Sequence, residues 1–155
     1  MKEVIDLLIC NNKTISTMES CTGGAIVNEI TNIPGSSEVL KFSAITYSNE
    51  YKIKMGVDGN IIDKYTVYSK ETAEAMSKAI SVFANSNYGV GVTGKLNRID
   101  KNNLYGDDNV VFICIYDRDN NRYYNNTLSV YKSTRKENKK LVLEEIIKML
   151  INIIN

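Results

Sequence analysis

A β-branched run, Thr14 to Met18, passes straight into Glu19-Ser20-Cys21-Thr22-Gly23-Gly24, after which Ala25, Ile26, Val27 and Ile30 recur at roughly helical spacing. The chain must therefore turn from strand to helix within a few residues, through a glycine pair that follows a hydroxyl and a thiol. Free backbone N–H groups at such a turn can hold an oxyanion. The same turn commits the fold to strands that feed helices.

The remaining pattern agrees. Val4, Leu7 and Leu8 place an amphipathic helix over residues 2 to about 11, stopped by Asn11-Asn12. The helix after the Ser20 turn should reach about Thr31, where Asn32-Ile33-Pro34-Gly35 ends it and Ser36-Ser37 begin the next element. Val39 to Tyr47 reads as a strand, and Ser48-Asn49-Glu50 as the cap of a short helix carrying Lys52 and Met55. Ser69 caps a helix with Met76, Ala79, Ile80 and Phe83 on one face, closed by Asn85-Ser86-Asn87, and Tyr88 to Val92 is a buried strand. Residues 94–108 are polar and form a long loop, with Leu96, Ile99, Leu104 and Tyr105 to anchor it. Val110 to Tyr116 and Tyr123 to Tyr131 flank a hairpin turn over residues 117–121, and a last helix after Ser133 or Thr134 turns Val142, Ile146, Met149 and Leu150 inward. Strands alternating with helices, then one hairpin, predict an α/β fold: a three-layer α/β/α sandwich with a mixed sheet, in a single domain over residues 1–155.

Composition removes whole classes of chemistry. The chain has no histidine, which excludes Ser-His-Asp triads, Cys-His dyads and His-based metal sites; any base must be Lys, Tyr, Asp or Glu. Cys10, Cys21 and Cys114 are scattered and never spaced as C-x-x-C, as expected of reduced cytosolic thiols, and no metal is expected. Nineteen basic against eighteen acidic residues give a net charge of +1, so no global field points to nucleic acid or a membrane surface. Glu3 and Asp6 interrupt the first apolar run, and Lys148 and Asn152 the last, which predicts a soluble, cytoplasmic protein.

A serine hydroxyl is a poor nucleophile near neutral pH and needs a base within hydrogen-bond reach. With histidine absent a lysine is the natural base, provided burial or a nearby cation favours its neutral form. Lys52 follows the Val39–Tyr47 strand by five residues, and Tyr47 at the strand end can relay or orient the proton. Ser20 as a helix N-cap is the alternative. Cys21 is the rival nucleophile, but one residue on it points into helix packing as a small hydrophobe. Thr22, Gly23 and Gly24 either permit close helix–strand packing or bring substrate up to backbone amides. Lys132, Arg135, Lys136, Lys139 and Lys140 form the densest basic run. Such a run is ordinarily a solvated face; if its start lines the pocket, Arg135 can bind a phosphate bidentately.

Together these residues resemble the carboxy-terminal domain of the CinA family, the competence/damage-inducible proteins, whose stand-alone members include nicotinamide-nucleotide amidases of the PncC type. Glu19-Ser20-Cys21-Thr22-Gly23-Gly24, Pro34-Gly35-Ser36-Ser37 and Tyr47-Ser48-Asn49-Glu50-Tyr51-Lys52 are similar to three of its motifs at matching intervals. The resemblance implies cytoplasmic, bacterial pyridine-nucleotide salvage: hydrolysis of the carboxamide of nicotinamide mononucleotide to the acid and ammonia, with no cofactor and no metal. It implies Ser20 as nucleophile, Lys52 as general base, Tyr47 assisting, and backbone amides near Cys21 to Gly23 holding the oxyanion. It also implies a small-molecule nucleotide as partner, no nucleic acid or membrane, and a homo-oligomer. Thr93-Gly94 is similar to the family's Ser/Thr-Gly pair at the substrate site, but the glycine-rich run that normally follows is replaced by Lys95-Leu96-Asn97-Arg98 and Asn102-Asn103-Leu104-Tyr105-Gly106-Asp107-Asp108. Of the family's Gly-Asp-Arg only Arg135 keeps register. That rebuilt loop leaves a second expectation open, a nucleotide-binding or interaction module that keeps the fold without turnover.

Overall fold

The computed structural model describes residues 1–97, 101–102 and 104–155; Arg98, Ile99, Asp100 and Asn103 of the rebuilt loop lie outside the described residues. A five-stranded mixed sheet runs in the order β2-β1-β3-β4-β5. β1 (Ile15–Glu19) pairs in parallel with β2 (Leu40–Ile45) and with β3 (Tyr88–Gly94). β4 (Val110–Asp117) and β5 (Arg122–Ser129) add an antiparallel hairpin. Because β1, β2 and β3 are parallel, their C-terminal ends open on one edge of the sheet, where ligands of open α/β sheets bind.

The two faces are built differently. Ile15, Val90, Val92, Val111, Ile113 and Ile115 present an apolar surface to α1 (Lys2–Cys10), α2 (Ala25–Thr31), α3 (Ser36–Val39) and α7 (Arg135–Ile154), whose Leu8, Ile26, Val39 and Ile146 complete the larger core. Each such side chain contributes about 1.5–3 kcal/mol when fully buried. On the opposite face lie α4 (Asn49–Lys54), α5 (Gly59–Tyr65) and α6 (Lys70–Ala84), with a smaller core of Met18, Val57, Ile62, Val67, Met76 and Ile80. There β3 offers Gly89 and Gly91, and a Cβ at either would stand only 2.0 Å and 2.3 Å from the α6 backbone oxygens of Ser77 and Ala73.

That close approach corrects one expectation. Phe83 does not face the sheet but is 62% exposed, while Ser77 and Ser81 are buried. Only small side chains fit between α6 and the glycines of β3, so the helix is rotated to put serines inward, and Phe83 packs on Phe42 of the β2 edge at 5.2 Å. Two further elements differ from expectation. Val39 closes the single turn α3 instead of opening β2, and α5, capped by Asp58 on the Asn60 amide, stands where no helix was foreseen. α1, α4, α6 and α7 otherwise form where their patterns place them, with side-chain caps at Ser48, Ser69 and Thr134. Among the described residues no helix is long and apolar enough to cross a membrane.

Candidate active site

The turn after β1 is organised by Glu19, to which the sequence pattern alone gives no role. Glu19 is fully buried, and its carboxylate accepts hydrogen bonds from Thr22 Oγ1 (2.7 Å) and from the amides of Gly24 (3.0 Å), Ile26 (3.2 Å) and Val27 (2.9 Å). It thereby supplies the cap and the negative charge that the N-terminus of α2 needs, since the N-cap position itself is Gly24. Ser20 is therefore not the cap of that helix. The readable signal was an acid just ahead of a helix start.

With Glu19 clamped, Ser20 is held at the carboxyl end of β1. Gly23 donates its amide to the Ser20 carbonyl at 3.0 Å, and positive φ at Gly23 (61°) and Gly24 (94°) closes the turn in a conformation that favours glycine. The Gly23 and Gly24 amides are thus engaged inside the turn.

Lys52 reaches the serine from α4. Its side chain is 1% exposed, and Nζ donates to Ser20 Oγ at 3.2 Å and to the Thr46 carbonyl at 2.7 Å. The Thr46 amide in turn donates to the Glu19 carbonyl at 2.8 Å, so strand pairing sets the lysine's anchor against the serine's own strand. Ser48 caps α4 through the Tyr51 amide and fixes the helix that carries Lys52. Cys21 is enclosed in the large core, and burial, only partly offset by the charges of Arg135 and Lys52, pushes its thiol up to about 12. It remains a protonated thiol near neutral pH, which disfavours it as nucleophile.

The other expected residues take distinct places. Tyr47 stands at the mouth, 66% exposed, and its hydroxyl accepts from Arg135 Nη2 at 3.4 Å. Arg135 also donates through Nη1 to the Leu96 carbonyl at 2.9 Å, joining α7 to the segment after β3. Thr93 is buried with its hydroxyl on the Val67 carbonyl at 2.8 Å, on the α6 side of the sheet. Gly94 has no room for a side chain, because a Cβ would lie 2.5 Å from the Val110 carbonyl oxygen.

Polar groups hold the rebuilt segment. Leu96 is fully buried as expected, but Leu104 and Tyr105 are 71% and 72% exposed and anchor nothing. Lys95 is buried instead, donating to the Gly106 carbonyl (3.3 Å) and to Asp108 (3.4 Å) with its ammonium over the Tyr68 ring. Asn138, fully buried on α7, bonds the side chain of Asn97 at 2.5 Å and both backbone groups of Lys132. These contacts span from 6 to 41 residues and join the segment to α7, so no helix or strand periodicity announced them. Among the described residues, no cluster of three or more Asp, Glu or Cys is arranged to hold a metal ion.

Comparison with known proteins gives one answer. A family model described as the CinA C-terminal domain matches residues 1–154. A Clostridium botulinum protein named as competence-damage inducible is 44% identical over 96 residues, which are 61% of this chain and 24% of that protein. A CinA-like protein of Endomicrobium trichonymphae is 46% identical over 89 residues, 57% of this chain and 21% of that protein. The match thus spans about a quarter of the length of these curated relatives. The crystal structure of a competence/damage inducible protein from Agrobacterium tumefaciens superposes with a TM-score of 0.83 at 26% identity, covering 99% of this chain and 96% of that one. A CinA superfamily protein from Klebsiella pneumoniae shares the fold, with a TM-score of 0.90 at 15% identity over 99% and 94% of the two chains.

Proposed function

Because the chain belongs to the CinA C-terminal domain family, we propose that it is a metal-independent serine amidohydrolase acting on the carboxamide of nicotinamide mononucleotide or a closely similar amide. The observation that carries this reading is the 3.2 Å contact between Ser20 Oγ and the buried Lys52 Nζ at the C-terminal edge of the parallel strands.

The chemistry follows from that pair. Neutral Lys52 takes the Ser20 proton as Oγ bonds to the amide carbon, and the carbonyl oxygen becomes an oxyanion held by the Cys21 and Thr22 amides. The tetrahedral centre collapses with cleavage of the C–N bond, and the proton on Lys52 passes to the departing nitrogen, which leaves as ammonia. Water then attacks the serine ester; Lys52 accepts its proton and returns one to Ser20, and the free acid departs. Tyr47 and Arg135 form the wall of the mouth, with Arg135 oriented for an anionic group of the substrate.

Ammonia release from nicotinamide mononucleotide tests this directly, with Ser20→Ala and Lys52→Ala beside the wild type. Both variants are expected to lose most of their activity, Ser20→Ala the more severely. Turnover that survives Ser20→Ala would overturn the mechanism, and binding of the nucleotide without turnover by the wild type would favour the non-catalytic module.

A further inference from the structure

Lys139 belongs to a basic run that reads as a solvated face, yet the fold turns it toward the nucleophile. A Cβ on Gly23 would lie 3.2 Å from Lys139 Nζ, so the ammonium rests on the bare backbone of the turn that carries Ser20. Lys139 is half-buried and makes no hydrogen bond or ion pair among the described residues. The nearby acids are occupied: both carboxylate oxygens of Glu19 bind the turn, and Glu137 closes the Thr134 capping box, which holds its carboxyl below the usual range.

Arg135 lies one helical turn before Lys139, so the two project from the same face of α7. The guanidinium is fixed from two sides, by the Leu96 carbonyl and the Tyr47 hydroxyl. Two like charges on one face, one aimed and the other unneutralised beside the nucleophile turn, make a site that an anion completes. We propose that Lys139 and Arg135 together receive the anionic group of the substrate, and that Lys139 thereby makes the enzyme favour amides that carry a phosphomonoester over the same amides without one. The absence of a side chain at Gly23 is part of this device, because it leaves space for the ammonium. This inference rests on the amidase reading and adds a determinant of specificity to it.

The test compares nicotinamide mononucleotide with nicotinamide riboside, the same amide without phosphate, on wild type, Lys139→Gln and Lys139→Arg. Lys139→Gln is expected to raise KM for the nucleotide ~10-fold or more with kcat little changed, while leaving kcat/KM for the riboside as in the wild type. Lys139→Arg should recover most of the loss. An equal fall for both substrates, or an unchanged nucleotide KM, overturns the proposal. Calorimetric binding of the nucleotide to Ser20→Ala and to Ser20→Ala/Lys139→Gln decides the point even if no substrate releases ammonia. Affinity ~10-fold weaker in the double variant supports Lys139 where the amidase reading has failed; equal affinity, or no binding to either, sinks it.

Discussion

β1 and β3 are neighbouring parallel strands, and the segments that leave their C-terminal ends are held in opposite ways. The turn after β1 is closed by its own residues: one carboxylate, Glu19, gathers four donors within eight positions of itself. The segment after β3 is held at its base by side chains from far along the chain, Arg135 and Asn138 of α7, and by Lys95 reaching across to Asp108. A locally closed turn keeps its geometry whatever its surroundings do, which is what the proposed nucleophile needs to meet a reacting carbon to within tenths of an ångström. A segment fastened from a distance can be rebuilt without disturbing that turn, and suits the part of a site that selects the substrate.

The largest expected effect lies in the turn. Ser20→Ala should lower kcat/KM for nicotinamide mononucleotide by ~10⁴-fold or more, and Lys52→Ala by ~10²–10⁴-fold, while the urea midpoint of Ser20→Ala stays close to wild type. A Ser20→Ala protein that keeps most of its rate would remove the reason for distinguishing the two segments.

Glu19→Ala comes next. It strands the amides of Gly24, Ile26 and Val27 and the Thr22 hydroxyl in a buried turn, so a loss of ~2–4 kcal/mol is expected in urea denaturation together with a marked fall in kcat. Lys95→Met and Asn138→Ala act on the other segment. They should cost ~1–2 kcal/mol each and raise KM several-fold with kcat little altered. If Lys95→Met lowered kcat as Glu19→Ala does, the division between a chemical turn and a selecting segment would fail.

The same division explains what could be read from sequence. The elements bearing Ser20 and Lys52 were legible because strand, turn and cap are local signals: Ser48 caps α4, and Gly23 and Gly24 close the turn. The outward rotation of Phe83 was not legible, because it depends on Gly89 and Gly91 of a different element. Leu104 and Tyr105 looked like anchors by composition, whereas Lys95 and Asn138, polar and therefore expected outside, carry the segment. α5 offered only Ile61, Ile62 and Tyr65 over seven residues, too short for a periodicity.

The smallest effect probes the closed turn through Cys21. Its thiol lies at about 12, against an ordinary 9.0, chiefly because burial opposes the thiolate. Between these values the unfolded chain gives up a proton that the folded chain retains, so stability falls as pH rises through that window. For one thiol the slope approaches ~1.4 kcal/mol per pH unit. Cys21→Ala should therefore lose stability less steeply than wild type between pH 10 and 11, by about that amount, in urea midpoints read by circular dichroism. Cys114, pushed up to about 12 by its own burial, is untouched by the substitution and keeps its contribution in both proteins. A turn that opened readily would let Cys21 ionise near its ordinary value while still folded, and the two slopes would then coincide. Coincident slopes would place the Ser20 turn among the yielding parts of the molecule and reverse the contrast with the segment after β3.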